Sequence, residues 1–454
     1  MPAGRHKVGD SSAFGLRMTK CRMSNDLMEK IVALCKRRGF VYPGSEIYGG
    51  LANTYDYGPL GAELKNNIKA AWWKYFVQER SDMVGLDGGI ILNPEVWKAS
   101  GHIKNFKDAL VECKNCHHRF RPDKLADSSK CPDCVGPLTE PRSFSGLFET
   151  TIGPVEGEGA VAYLRPETAQ NMFVNFKNIL DSTSVKIPFG LGQVGKAFRN
   201  EITTGNFIFR TIEFEQMEIE YFIAPQADWN KIFEEWLEYI YGFADRIGLS
   251  RQNFYNHEIP EAERAFYSKR TVDIEYKFPF GQDELWAIAY RTDYDLSAHQ
   301  EISGKSMEYF DEQTKKKYIP HVIEPTFGAD RTMLAVLAEG YSEEGERVIL
   351  KLNPKIAPYK VAVFPLLANK PQLVELARKI YSDLKKEFMA AWDERGNIGK
   401  RYFAQDEIGT PFCVTVDFDS LEKDDVTVRD RDTMKQERIK ISDLKSYFRE
   451  QINK

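Results

Sequence analysis

Two periods of hydrophobic and polar residues run along this chain, and each marks a kind of element. From Glu63 to Arg80, ELKNNIKAAWWKYFVQER carries apolar residues at helical spacing behind a YDYGPLG turn. This predicts an amphipathic helix, with Trp72 and Trp73 in the core or a subunit contact. ADWNKIFEEWLEYIYGFADR at 227–246 predicts a longer helix. A strand is expected at 284–290, and EPTFGADRTMLAVLAEG from Glu324 reads as a strand running into a helix. After the proline-containing junction LNPKIAPYK at 352–360 come a strand VAVFPLL, a helix from 371 to about 391 and a strand FCVTVDF. That alternation predicts a separate α/β domain at 358–454.

FRNEITTGNFIFRTIEFEQMEIEYF, residues 198–222, reads as a strand, a tight connection and a second strand. Side chains alternate faces along a strand, so Arg199 shares a face with Glu201, and Arg210 shares one with Ile212, Phe214, Gln216 and Glu218. Paired as a hairpin, the strands would offer guanidiniums, an aromatic ring and carboxylates side by side. Arginines suit polyphosphate oxygens, a ring suits a purine, and a carboxylate suits an ammonium. A cross-strand ion-pair ladder on an exposed sheet face would use the same residues.

At 454 residues the chain exceeds the roughly 250 to 300 residues of one core, so several domains are expected. No stretch approaches the ~18 to 20 apolar residues of a membrane span, so no membrane partner is expected. The net charge of −5 gives no overall basic field, and any nucleic-acid contact must be local. Nine Lys and Arg against three acids make the first 40 residues basic. Residues 1–28 read as a disordered basic extension; a mitochondrial transit segment is the alternative. Seven cysteines without a secretion signal favour a reducing compartment, here taken as the cytoplasm.

Four of those cysteines form a motif. Cys113 and Cys116, then Cys131 and Cys134, are two C-x-x-C pairs fourteen residues apart in a module at 111–138. Two thiolate pairs at this spacing predict a closed, structural zinc site of ribbon type, with His117 and His118 outside the ligand shell. Cys21, Cys35 and Cys413 read as ordinary thiols.

FRNE followed by FRTIEFEQMEIEYF resembles motif 2 of the class II aminoacyl-tRNA synthetases, within them the dimeric glycyl-tRNA synthetases. EIYGGLANTYDYGPLG, LRPETAQ, RTDYDL, EPTFGADR and DERGNIGKRYFAQDEIGTPFCVTVD match the same family in order. The resemblance implies an α+β fold: an antiparallel sheet flanked by helices in a catalytic domain at 29–350, with a zinc-ribbon-like insertion and a C-terminal α/β anticodon-binding domain. It implies a homodimeric ligase of protein biosynthesis that takes ATP with Mg2+, glycine and tRNA(Gly), by way of glycyl-adenylate. It places ATP on Arg199, Asn200, Glu201, Phe209, Arg210, Phe214, Glu284, Leu285, Gly328, Asp330 and Arg331, with Arg199, Arg210 and Arg331 as catalytic cations. It places glycine against Arg121, Glu167, Phe214, Gln216, Glu218, Glu324 and Thr326. Crowded glutamates need a compensating cation, and Arg165 is the candidate. Ile212 stands where the family usually has arginine, and Thr326 where it usually has serine. Ser100 and His102 lie near a segment the family uses at the acceptor end. The alternative function is a catalytically weak, synthetase-like nucleic-acid-binding subunit.

Overall fold

The computed structural model describes residues 26–454 except 123, 124, 126, 128, 155–158 and 202–204. The basic extension expected at 1–28 therefore lies outside the described residues up to 25. Among the described residues, no helix is long and apolar enough to cross a membrane.

The centre is a seven-stranded sheet of β1 (Met83–Gly85), β2 (Phe189–Phe198), β3 (Glu213–Ile223), β4 (Phe254–Glu258), β5 (Arg270–Phe278), β6 (Gly281–Thr292) and β7 (His321–Gly328), in the spatial order β4-β5-β6-β7-β3-β2-β1. Every neighbouring pair is antiparallel except β2 with β1. Such a sheet is hydrophobic on both faces only where helices cover it.

The first cover is α1 (Pro59–Trp73), with proline in its first turn and Leu60, Leu64, Ile68 and Trp72 buried along one stripe. Trp72 packs edge-on against Phe327 of β7 with ring centroids 6.0 Å apart, so of the tryptophan pair this ring belongs to the core. The expected helix ran to Arg80; α1 continues only as one wide turn, Lys74–Gln78. Opposite this turn β2 supplies Gly192, where an added Cβ would meet Val77 at 2.7 Å, and this permits the close approach. A second helix, α2 (Trp229–Ile247), is capped by Asp228, whose side chain accepts from the Lys231 amide, and ends at Gly248 with φ +83°. Its Phe233, Trp236, Ile240 and Phe243 complete the same core.

The hairpin of β2 and β3 departs from its expected position. β2 ends at Phe198, so the first strand ends on the phenylalanine of FRNE instead of starting there, and β3 begins at Glu213. Between them Phe207–Phe209 form a single 3-10 turn that buries Ile208 and Phe209. Burial of these apolar side chains outweighs the ladder there, although the Arg199 amide still donates to Ile212 O at 2.9 Å. The strand expected at 284–290 is the middle of β6, and Glu324 to Gly328 runs into α3 (Ala329–Gly340).

A C-terminal sheet follows, with β8 (Val361–Pro365), β9 (Ala390–Trp392), β10 (Phe412–Val416), β11 (Asp425–Asp430) and β12 (Gln436–Lys440) in the order β9-β8-β10-β11-β12. The helix expected to reach about 391 stops at Leu384, because 390–392 is needed as the parallel edge strand β9. Asp406 of helix Ile398–Glu407 is fully buried and joins this sheet to the rest. It takes Arg347 Nε at 2.7 Å from the preceding hairpin and Arg429 Nη1 at 2.9 Å from β11. Next to it, Glu407 is paired with Arg37 and Arg38 of the helix over 26–38.

The catalytic-side layers are pinned in the same way. Asp330, at the start of α3, is buried; its Oδ1 takes Lys65 Nζ of α1 at 2.6 Å and the Tyr57 hydroxyl, and its Oδ2 takes the Glu215 amide of β3 at 2.7 Å. Asp330→Ala would leave Lys65 with only Glu215 and is expected to cost about 3 to 5 kcal/mol. Chemical denaturation compared with the unaltered chain measures it.

Candidate active site

Two cavities open on the face of the sheet away from α1. The first is lined by Arg199, Glu201, Phe209, Arg210, Phe214, Glu284, Leu285, Gly328 and Arg331, among others. The second is lined by Glu167, Glu218, Tyr267, Asp273 and Glu324. Arg199, Gln216 and Thr326 line both, so the chambers meet at those three side chains.

Sheet geometry produces this division. Phe214, Gln216 and Glu218 follow one another on one face of β3, opposite Ala197, Gly195 and Gln193 of β2. Small residues on the facing strand leave space above the sheet; at Gly195 an added Cβ would meet the Arg165 guanidinium at 2.1 Å. In the first chamber Arg199 Nε donates to Pro166 O at 3.0 Å, with its guanidinium 5.4 Å from the Phe214 ring. Arg331, in the first turn of α3, donates to Phe209 O at 3.2 Å, pairs with Glu284 at 3.1 Å and lies 4.4 Å over the Phe209 ring. Arg210 pairs with Glu201 at 3.6 Å. Each guanidinium is thus oriented by a carbonyl, a ring or a carboxylate. A bound polyanion would compensate their mutual repulsion.

Of the residues expected at the nucleotide, two stand apart. Asp330 reaches the first cavity but its carboxylate is committed to Lys65, Tyr57 and Glu215. Asn200 donates from its side chain to Ser145 O at 3.3 Å and lies outside the lining of both chambers.

The second chamber is acidic, and its carboxylates are buried. Glu218 accepts from the Thr168 hydroxyl and from Thr326 Oγ1 at 3.1 Å. Glu167 is held by Gln170 Nε2 at 3.0 Å and stands 3.3 Å from His102 Nε2, whose other ring nitrogen meets Ser100 Oγ at 2.8 Å. Glu324 pairs at 2.7 Å with Arg291, which also grips Asp295 through Nε at 2.7 Å and lies 3.8 Å from the Tyr267 ring. Arg291, not the expected Arg165, is the cation that pairs directly with the cluster. Arg165 spends its N–H groups on Lys196 O, Gly88 O, Gly89 O and Asn171.

Burial dominates the electrostatics. It pushes Glu324 up to about 8 against the pull of Arg291, with Glu218 and Glu167 adding to the rise. Glu218 is raised by burial and by the neighbouring Glu167 charge. Glu167 moves the other way: burial opposes its ionisation, but His102, the Arg291 charge and the Gln170 amide together hold it below the ordinary carboxylate range.

Sequence reasoning missed Arg291, Asp295 and Glu220. Arg291 and Asp295 sit in the quoted RTDYDL, where an arginine four residues before an aspartate at a strand-to-helix junction was the available signal. Glu220 continues the parity of Gln216 and Glu218 on β3. Arg121, expected at glycine, follows the strand Arg119–Phe120 in the cysteine module and is not among the residues lining either chamber.

The four cysteines converge, with all four sulfurs within 4.8 Å of one another, Cys113 Sγ 3.4 Å from Cys134 and Cys116 Sγ 3.6 Å from Cys131. Thiolates bound tetrahedrally at ~2.3 Å stand roughly 3.8 Å apart, so this donor set fits one metal ion. His117 and His118 turn instead to Glu112 at 3.2 Å and Asp133 at 2.6 Å.

Residues 155–340 match the tRNA synthetase class II core domain (G, H, P, S and T), and residues 360–451 match the anticodon binding domain. The architecture is therefore that of a class II synthetase. Glycine–tRNA ligase of Lachnospira eligens is 52% identical over 460 residues, covering 94% of this chain and 99% of that protein. That of Caldanaerobacter subterraneus is 52% identical over 457 residues, covering 94% and 98%, and that of Thermobifida fusca is 50% identical over 462 residues, covering 94% and 98%. The chain belongs to the glycine–tRNA ligase family.

Because Glu324 titrates higher folded than unfolded, its contribution to stability is full below about pH 4 and is lost as pH rises through about 8. Glu324→Gln removes this loss. Its melting temperature relative to the unaltered chain is expected to rise between pH 5 and pH 8, which calorimetry across that range measures.

Proposed function

We propose that the chain attaches glycine to tRNA(Gly) in two steps, both in the paired chambers. ATP lies in the first, with Arg199 at the α-phosphate, Arg210 and Arg331 toward the γ-phosphate, and Phe214 against the adenine. Glycine lies in the second, its ammonium facing Glu167, Glu218 and Glu324 beside Thr326. A glycine carboxylate oxygen then attacks the α-phosphorus; the new O–P bond forms as the bond to pyrophosphate breaks, giving glycyl-adenylate. A ribose hydroxyl at the tRNA end displaces AMP in the second step. No protein nucleophile is needed, so rate comes from positioning and from charge stabilisation by the arginines. Magnesium enters with the nucleotide and offsets phosphate charge.

One observation carries this reading: three arginines line one chamber, buried carboxylates line the next, and Arg199, Gln216 and Thr326 stand where a carboxylate of the amino acid would meet an α-phosphate. Selectivity follows from the walls, because a second methyl against Thr326 and Tyr267 would overpack the chamber. The alternative of a weak nucleic-acid-binding subunit is not favoured, since all three arginines reach the same cleft. Glycine-dependent exchange of pyrophosphate into ATP tests the reading.

We further infer that the cysteine cluster holds a structural zinc and that the protein is a homodimer. Ile47 and Tyr48, 88% and 86% exposed before α1, support the dimer as apolar side chains in want of cover.

Glu218→Gln keeps shape but removes charge, and is expected to raise the glycine KM ~10- to 100-fold with ATP dependence unchanged. Arg199→Lys is expected to lower kcat chiefly, a point charge being unable to hold the phosphate bidentately. Exchange kinetics with each substrate varied in turn separate the two. For the metal, Cys113→Ser combined with Cys131→Ser is expected to abolish about one equivalent of zinc per chain, read by elemental analysis.

A further inference from the structure

Glu220 is the most anomalous side chain in the protein. It is fully buried on β3, and neither carboxylate oxygen has a hydrogen-bond partner. It shares the face of Glu218, two residues earlier, and lies against Glu324 of β7, since Tyr221 pairs with Ile323. Acceptor oxygens of Glu218, Glu220 and Glu324 all lie within 4.8 Å of one another. One side-chain rotation or one bridging water closes such a gap.

A charge count shows why this matters. Glu167, Glu218, Glu220, Glu324 and Asp295 are five buried acids; Arg291 and Arg165 are the two buried cations beside them. Bound glycine adds one ammonium. Counting the His102 charge beside Glu167 as well, ionising all five acids would still leave one uncompensated negative charge, so the cluster must keep a proton. Glu167, Glu218 and Glu324 each have a donor or cation to stabilise charge, and Asp295 has Arg291 twice over. Glu220 has none. Burial, with Glu324 next, puts it well above the ordinary carboxylate range even against Arg291.

We propose that Glu220 is a positioning residue of the amino-acid chamber: it stands as the neutral carboxylic acid and gives its hydroxyl hydrogen to Glu218 or Glu324, fixing the carboxylates that face the substrate ammonium. The proposal rests on the glycine reading of that chamber. A carboxylic acid and a primary amide have nearly the same shape and both donate, which makes glutamine the faithful replacement and methionine the faulty one.

The test is exchange of pyrophosphate into ATP by Glu220→Gln, Glu220→Met and Glu218→Gln, with glycine and ATP varied separately. Glu220→Gln is expected within about threefold of the unaltered chain in glycine KM, and Glu220→Met about tenfold or more above it, with the ATP KM of both unchanged. Rescue by the amide, confined to one substrate, is not what a general loss of packing gives. Equal damage from Glu220→Gln and Glu218→Gln would overturn the proposal, because Glu220 would then act as a charge. So would an unaffected Glu220→Met, or magnesium bound in titration calorimetry without nucleotide and lost in Glu220→Gln. If Glu220→Met does not fold, the Glu220→Gln comparison alone decides. Exchange by the unaltered chain that ignores glycine would instead overturn the functional reading and the proposal with it.

Discussion

Everything in the acidic chamber follows from burying several acids close together. An isolated carboxylate in such a place would simply take up a proton, and the chamber would lose the charge it needs for an ammonium. Arg291 opposes this without cancelling it, sitting under the cluster, tied to Asp295 and Glu324 and close to the Tyr267 ring. Its charge is not neutralised completely, and the surplus of acid over base attracts a small cation. The site is electrostatically unfinished until the substrate arrives.

The adjoining chamber is built on the opposite principle. Its arginines are partly exposed and held by carbonyls and rings more than by acids, so they keep positive potential to offer. Placing the two side by side without mutual cancellation requires a rigid spacer, and strand β3 provides it. Phe214, Gln216 and Glu218 are spaced by the pleat alone, about 6.6 Å per pair of residues. The separation between the basic and acidic chambers is thus set by backbone geometry.

How much of this was legible depended on whether the signal was local. Parity on 210–218 located the correct face of β3, and the C-x-x-C pairs located the cysteine cluster, because both patterns are spelled within a few residues. Strand limits were less legible. Phe207, Ile208 and Phe209 look like strand residues, yet the core recruits them into a turn, and only tertiary packing decides that. Arg291 was missed because its partners come from β7 and from the helix after β6, and sequence spacing does not report which strands become neighbours. Asp330 shows the converse: its place at the first cavity was readable, but its bond to Lys65, 265 positions earlier, was not.

The buried Asp406 between Arg347 and Arg429 bears on how the two halves of the molecule work together. A surface contact would let the C-terminal sheet swing, since exposed ion pairs break and re-form at little cost. Here the ion pair between the halves is buried, with Arg347 and Asp406 almost fully out of solvent, so it is not screened as a surface pair is. The buried network therefore ties the C-terminal sheet to the hairpin before it, so a shift of one against the other has to break an unscreened contact.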